Sequence, residues 1–396
     1  MALVPIMGVV FVAFLMIGIA MPVLPLHVHQ GLGLGTFVVG LVAGSQFAAS
    51  LVSRVWAGRE ADARGAKQAV VAGLFSSAGA GLLYLLSLRF ARTPEISATI
   101  LLVGRAVLGA GESFIITGAQ AWGLVLAGVR NTGKILAWMG TAMYAAFALG
   151  APIGVTLYGA HGFSAIALAT TLVPLGTLLL VAPMRRFVPT GRIRAPITTV
   201  ISAVSVPGLG LALSSFGFGA MTAFASLLFA ARGWTIWPAF SAFAAAFIAT
   251  RIVLGHLPDR FGGARVALVC VLVEAIGLGL ISLTPSFVVA LIGAALTGLG
   301  YSLVYPGFGV EAVLRAPSHS RGLAMGAYTA FFDLTLGIAG PALGLIGGVA
   351  GLGSVFLISA LVVLCAVLVA MWLLRSSRRD ANPAEGSTLK PITGQQ

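Results

Sequence analysis

Apolar residues run along this chain in blocks separated by short polar stretches. The blocks centre near Leu15, Phe47, Ala78, Gly109, Phe147 and Leu172, and again near Gly219, Phe247, Val273, Ala295, Leu334 and Val363. Each is long enough to form a helix crossing a hydrocarbon core of about 30 Å. Within that core a helix is the form that satisfies every backbone N–H and C=O inside its own segment. Twelve such runs predict an all-α integral membrane protein. The last six repeat the arrangement of the first six, which predicts two pseudo-symmetric six-helix bundles at residues 1–184 and 197–375. A polar connector at 185–196, holding Arg185, Arg186, Arg192 and Arg194, separates them, and a polar tail at 376–396 follows. The tail is short and rich in Ser, Pro and Gly, poor material for a packed core, and is expected to be disordered.

Composition agrees with this pattern. Hydrophobic residues make up 59% of the 396 and charged residues only 8%, with a mean hydropathy of +1.06. Ordinary soluble domains hold roughly 25% charged residues, so a water-soluble fold is excluded. The 52 glycines belong to the same class, because small residues let membrane helices approach closely. Cys270 and Cys365 lie inside apolar runs, in no metal-like or redox spacing.

The net charge of +13 changes the picture through its placement. With both termini on the cytoplasmic side, nineteen of the 23 Lys and Arg fall on that side. Arg89, Arg92 and Arg232 fall outside, and Arg105 lies within the fourth run. Short loops rich in Lys and Arg stay cytoplasmic, so that orientation is the expectation and nucleic-acid binding is not. The first run is long, has no basic lead and is followed by eleven more, unlike a cleavable signal. It begins almost at Met1, as a misassigned start or a shortened chain would.

Between the second and third runs the chain reads RVWAGREADARGAK, holding Arg54, Gly58, Asp62, Gly65 and Lys67. Between the eighth and ninth it reads RIVLGHLPDRFGGAR, where Arg251, Gly255, Asp259 and Gly262 repeat the first three intervals and Arg265 comes one residue late. An offset of 197 residues links the two. Glycines permit a tight turn between helix ends, and an Asp can sit by a helix N-terminus or an Arg. These ten residues are read as a conformational latch; a simple basic-loop bias is the alternative. A second offset, 189, comes from aligning Pro152 with Pro341, and it pairs Tyr144 with Asp333 and Glu112 with Tyr301.

The first loop resembles the signature of the major facilitator superfamily between its second and third helices. GRAVLGAGES, with Arg105, Gly109 and Gly111, resembles that family's fourth-helix motif. Further segments resemble the YfcJ/YhhS-like, arabinose-efflux-like permeases of the superfamily: GAPIG at 150–154, LVEAIGL around Glu274, GYSLVYPGFGV at 300–310 and YTAFFDLTLGIAGP at 328–341. The resemblance implies two six-helix bundles around a central cavity, working by alternating access, and monomeric function. One departure stands out. Drug antiporters of the superfamily have a Gly-Pro pair in helix five, whereas here Ala151 precedes Pro152 and the pair occurs at Gly340 and Pro341.

Charged groups in a bilayer cost at least about 2.5 to 3.5 kcal/mol and so face protein or water. Arg105, Glu112, Glu274, Glu311 and Asp333 are therefore the first candidates for function. Asp333, Glu112 and Glu274 are proton-coupling candidates. Arg105, Glu112, Gln120, Tyr144, Tyr301, Tyr305 and Asp333 are expected to line the substrate cavity, where rings beside carboxylates suit an amphipathic or cationic solute. Structural roles remain the alternative: a cation held by carbonyls for Arg105, a hydrogen-bonded helix contact for Asp333, ordinary packing for the tyrosines. Glu311 and Arg315, one turn apart, are gate candidates or a structural pair. His27 and His29 are read as exposed loop residues, and two histidines without a third ligand make no metal site.

The sequence thus reads as a multi-pass cell-membrane transporter, in the inner membrane if the source is Gram-negative, needing no cofactor and no metal. The expected activity is proton-coupled efflux of a small organic solute, a sugar or an amphipathic drug-like compound. A symporter or facilitator importing a sugar or organic acid is the alternative, ahead of a membrane-embedded sensor or enzyme. No GxxxxGK[ST] loop, HExxH pair or large soluble domain is present to support an enzyme or ATP-driven transport.

Overall fold

In a computed structural model of the chain, residues 4–127, 132–184, 197–316 and 321–381 are described. The expected connector at 185–196 lies outside them, as do Arg130, Lys390 and residues 382–396 of the expected tail, while residues 376–381 of that tail continue the last helix instead of being disordered. Among the described residues twelve helices are long and apolar enough to cross a membrane: α1 Val4–Gly31, α2 Thr36–Ala63, α3 Ala66–Arg89, α4 Pro94–Gly123, α5 Trp138–His161, α6 Phe163–Val181, α7 Thr198–Ala231, α8 Trp237–Leu254, α9 Gly263–Leu283, α10 Phe287–Arg315, α11 Leu323–Ala350 and α12 Leu352–Ser376. Each centre named from the sequence falls inside one of them. Between α8 and α9 lies a short helix, Leu257–Phe261.

The helices run up and down. At one end Lys67 Nζ, at the start of α3, donates to the carbonyls of Ala182 and Met184 after α6, at 2.6 and 2.8 Å. Arg315 Nη2, ending α10, reaches Ser376 Oγ of α12 there as well, at 3.0 Å. At the other end Arg232 donates to the carbonyls of Ile281 and Ser282, both at 3.0 Å, and Ser282 Oγ to Gly353. The first is called the basic end below.

Several close contacts of α4 with α2 and α3 recur at equivalent positions in the second half. A Cβ on Gly109 of α4 would lie 2.7 Å from the carbonyl carbon of Gln46 in α2; one on Gly298 of α10 would lie 2.8 Å from that of Phe243 in α8. Gly118 fits against Ala66 as Gly307 fits against Gly263, at 2.8 and 3.0 Å from the carbonyl oxygens. Every pair obeys the offsets of 197 for α2 and α3 and 189 for α4 and α5. Without a hydrophobic drive between helices in lipid, such small-residue contacts let backbones meet and gain dispersion.

The two signature stretches are more helical than a loop. α2 continues to Ala63 and α8 to Leu254, so Arg54 and Arg251 lie within spans instead of in loops. The break comes at Gly65 (φ 99°) and Gly262 (φ 90°), equivalent glycines in a region that side chains strongly disfavour. Before Gly65 only Arg64 separates it from α2, whereas α8 breaks first at the Gly255–His256 turn ahead of the short helix Leu257–Phe261.

Two seams join the halves. Along the first, α2 and α11 run antiparallel, with Thr36 Oγ1 bonded to Gly344 at 2.7 Å, Gly40 against Gly340 and Gly44 against Gly337. Phe47 then meets Phe332, with ring centroids 6.1 Å apart, and Arg54 reaches Asp333. Along the second, α5 packs on α8, with Tyr144 on Phe247 at 4.1 Å. Backbone-close packing thus occupies the half of the first seam away from the basic end.

Candidate functional site

Gln46, Ser50 and Arg54 recur every four residues along α2, which places them on one helix face. Gln46 Nε2 donates to Glu112 Oε2 of α4 at 2.6 Å, Ser50 lies buried beside the Asp333 carboxylate of α11, and Arg54 Nε donates to Asp333 Oδ2 at 2.7 Å. The Arg54 and Asp333 side chains are 20% and 2% exposed, so the pair runs from a wetter edge to a dry interior. The charges of Asp333, Arg54 and Arg105 all act on Glu112. Three of the expected cavity residues, Arg105, Glu112 and Asp333, are therefore in one electrostatic cluster, together with Arg54, which sequence reasoning had placed in a loop latch.

Across the same region lies an aromatic wall. Tyr301 of α10 stacks on Phe218 of α7 at 5.1 Å and shares a 3.3 Å hydrogen bond with Ser215, while Phe218 also meets Phe332 at 5.9 Å. Tyr305 pairs its hydroxyl with Thr329 at 2.8 Å, and Tyr328 donates to the Tyr305 carbonyl, also at 2.8 Å. Arg251 of α8 donates from Nη1 to the Ser302 carbonyl at 2.8 Å, and the neutral phenols of Tyr144, Tyr305 and Tyr328 lie near it. Tyr144, Tyr301 and Tyr305 are thus brought together. Phe218, Phe243 and Phe247 belong to the same surface, and in the sequence nothing distinguished them from ordinary core. On the side away from the basic end Met21, Tyr144, Phe147, Phe218, Phe243 and Phe247 enclose a cavity of only ≈ 30 Å³. That is space for one or two waters, so no solute passes there in this arrangement.

Arg105 is 2% exposed, with the buried Tyr84 hydroxyl beside its guanidinium. Gln120 lies farther along α4 toward the basic end, half-buried. Glu274 stands apart. It sits inside the second half, fully buried, accepting a hydrogen bond from Ser214 of α7, with Oε1 unpartnered among the described residues. Its equivalent in the first half is Ser77.

Glu311 and Arg315 do pair, one turn apart on α10. Glu311 Oε1 also accepts from Ala264 N, 3.1 Å away, at the start of α9, so all its contacts stay in the second half. His27 departs from its expected exposed position: it is 7% exposed and stacks on Phe163 at 4.1 Å, because α1 extends through a π-helical turn at His27–Gly31 instead of ending in a loop. Among the described residues no group of three or more His, Cys, Asp or Glu could hold a metal ion.

Comparison with known proteins gives the family. A profile of the Major Facilitator Superfamily matches residues 6–239 and 233–394. An uncharacterized MFS-type transporter of Salmonella typhimurium is 43% identical over 366 residues, covering 92% of this chain and 94% of that protein. The uncharacterized MFS-type transporter YhhS of Escherichia coli K12 is 38% identical over 379 residues, covering 96% and 93%. Among solved structures, a D-xylose-proton symporter superposes with a TM-score of 0.74 at 14% identity, covering 92% of this chain and 96% of that one.

Proposed function

The chain belongs to the major facilitator superfamily, as a multi-pass membrane transporter and not an enzyme, and from that premise we propose that it couples protons to outward movement of a small organic solute. The observation that carries the reading is the Arg54–Asp333 pair. It spans the seam between halves, so opening the seam breaks it, and its acid is buried where an unpaired charge is costly. Protonating Asp333 releases Arg54 and the seam together, which links proton uptake to alternating access. Glu112, held by Gln46 and within reach of the same charges, is the second proton group. The signature residues at both turns serve as the latch at the basic end, which is cytoplasmic by the positive-inside rule. The closed far half of the first seam then supports an arrangement shut toward the outside, in a protein working as a monomer.

The test is proton flux in proteoliposomes, with a pH-sensitive dye inside and sugars, organic acids and cationic drugs added outside. A substrate-triggered pH change that disappears in Asp333→Asn is expected. Its sign separates antiport from symport, and solute flux without proton flux would return Asp333 to a structural role.

A further inference from the structure

The two offsets place Arg251 opposite Arg54 and Tyr144 opposite Asp333. The α2–α11 and α5–α8 seams are therefore two versions of one arrangement. In the first an arginine meets an acid. In the second the same arginine meets a phenol, and among the described residues no carboxylate lies within ion-pairing distance of it. Among the described residues its hydrogen bond to the Ser302 carbonyl uses Nη1 and leaves the rest of the guanidinium fork available. A guanidinium does not lose its proton in a protein, and a half-buried one without a counter-ion is costly.

From this asymmetry we infer that Arg251 receives the anionic group of the transported solute, and that the solute is a small organic anion, a carboxylate on a flat apolar body. The anion takes at Arg251 the place that Asp333 takes at Arg54. Its body lies against Tyr144, whose ring is tilted on Phe247, and Tyr301, stacked on Phe218. A bidentate guanidinium–carboxylate pair supplies both charge and direction. A cationic solute fits less well, because it has to sit beside Arg251 and displace Arg54 from Asp333. A neutral sugar leaves Arg251 without a counter-charge.

The inference rests on the transporter reading above but not on proton coupling. Its test is thermal unfolding of the purified full-length protein in detergent, at constant ionic strength, with benzoate, benzamide and benzylamine, three ligands of one shape and three charges. Benzoate is expected to raise the midpoint saturably, and the other two not. Arg251→Gln should remove the benzoate shift, and Arg251→Lys, which keeps the charge and loses the fork, should raise the half-saturating concentration at least about tenfold. Arg232→Gln, far from the seam, should leave the shift intact. An equal shift with benzamide, a larger one with benzylamine, no saturable shift with benzoate, or a benzoate shift that survives in both Arg251 variants overturns the inference. Benzoate binding without proton flux would sink the coupling and leave the anion class standing. Proton flux evoked only by sugars or benzylamine would do the reverse.

Discussion

Arg54 and Asp333 lie 279 positions apart in the chain, and Nε of one donates to Oδ2 of the other at 2.7 Å. The two ends of this bond are not equally exposed, at 20% and 2%, and that difference fixes what each substitution does. Arg54→Gln strands a carboxylate in a dry interior and is expected to cost about 3 kcal/mol, the lower end for a broken buried pair. Asp333→Asn strands a long cation that can swing toward water, at about 1 kcal/mol. The double variant should lose less than the sum. Unfolding of all four proteins in detergent measures the cycle, and additive losses would show that the two side chains do not couple.

The first seam offers a second prediction. A Cβ on Gly44 would lie 2.8 Å from the Gly337 carbonyl oxygen and 3.1 Å from Pro341 Cδ, and both are backbone or ring atoms with little room to yield. Gly44→Ala should therefore disfavour closure of this half. In a Cys365→Ser background, where the remaining native thiol, Cys270, is buried, a cysteine placed at Thr222 in the small enclosed cavity reports opening. Its reaction with a polar maleimide is expected to accelerate several-fold on adding Gly44→Ala. An unchanged rate would mean that the seam does not control access to that cavity.

How far the sequence reached can be judged at Arg54. Twelve spans were legible because a hydrocarbon solvent demands long apolar helices, and the pairing of Tyr144 with Asp333 was legible because helix contacts set by glycines preserve register across a repeat. Arg54 was misplaced because it begins a stretch with a loop signature, yet helix-forming residues carry α2 nine residues beyond it to Ala63. The spacing of Gln46, Ser50 and Arg54 was the missed signal. The aromatic wall was beyond reach, since Phe218 and Phe247 differ from other core phenylalanines only in which neighbour the tertiary fold gives them.

Glu274 leads to a third prediction. It is fully buried, its one hydrogen bond comes from Ser214, and no cation among the described residues lies within pairing distance. An amide of the same shape keeps the Ser214 bond and removes a costly charge. Glu274→Gln is expected to unfold at the wild-type midpoint or slightly above it, and to keep more than half the wild-type proton flux. Loss of that flux at an unchanged midpoint would move the proton site from Asp333 at the seam to Glu274 in the interior of the second half.

Glu311 and Arg315 are candidates for a gate, and their contacts argue for a brace instead. The carboxylate holds Arg315 on its own helix and Ala264 N at the start of α9, while Arg315 reaches Ser376 of α12, so three helices of one half meet at this point. Nothing in the group crosses a seam, and a gate that makes no contact across a seam has nothing to open. Glu311→Gln keeps a weaker hydrogen bond to Ala264 N and loses the ion pair, for a cost of roughly 1 kcal/mol with the helix-terminus charge effect included. The expected result is a lower unfolding midpoint with transport per folded molecule unchanged, measured by normalising proteoliposome flux to reconstituted protein. A large fall in normalised flux at an unchanged midpoint would make the pair a gate after all.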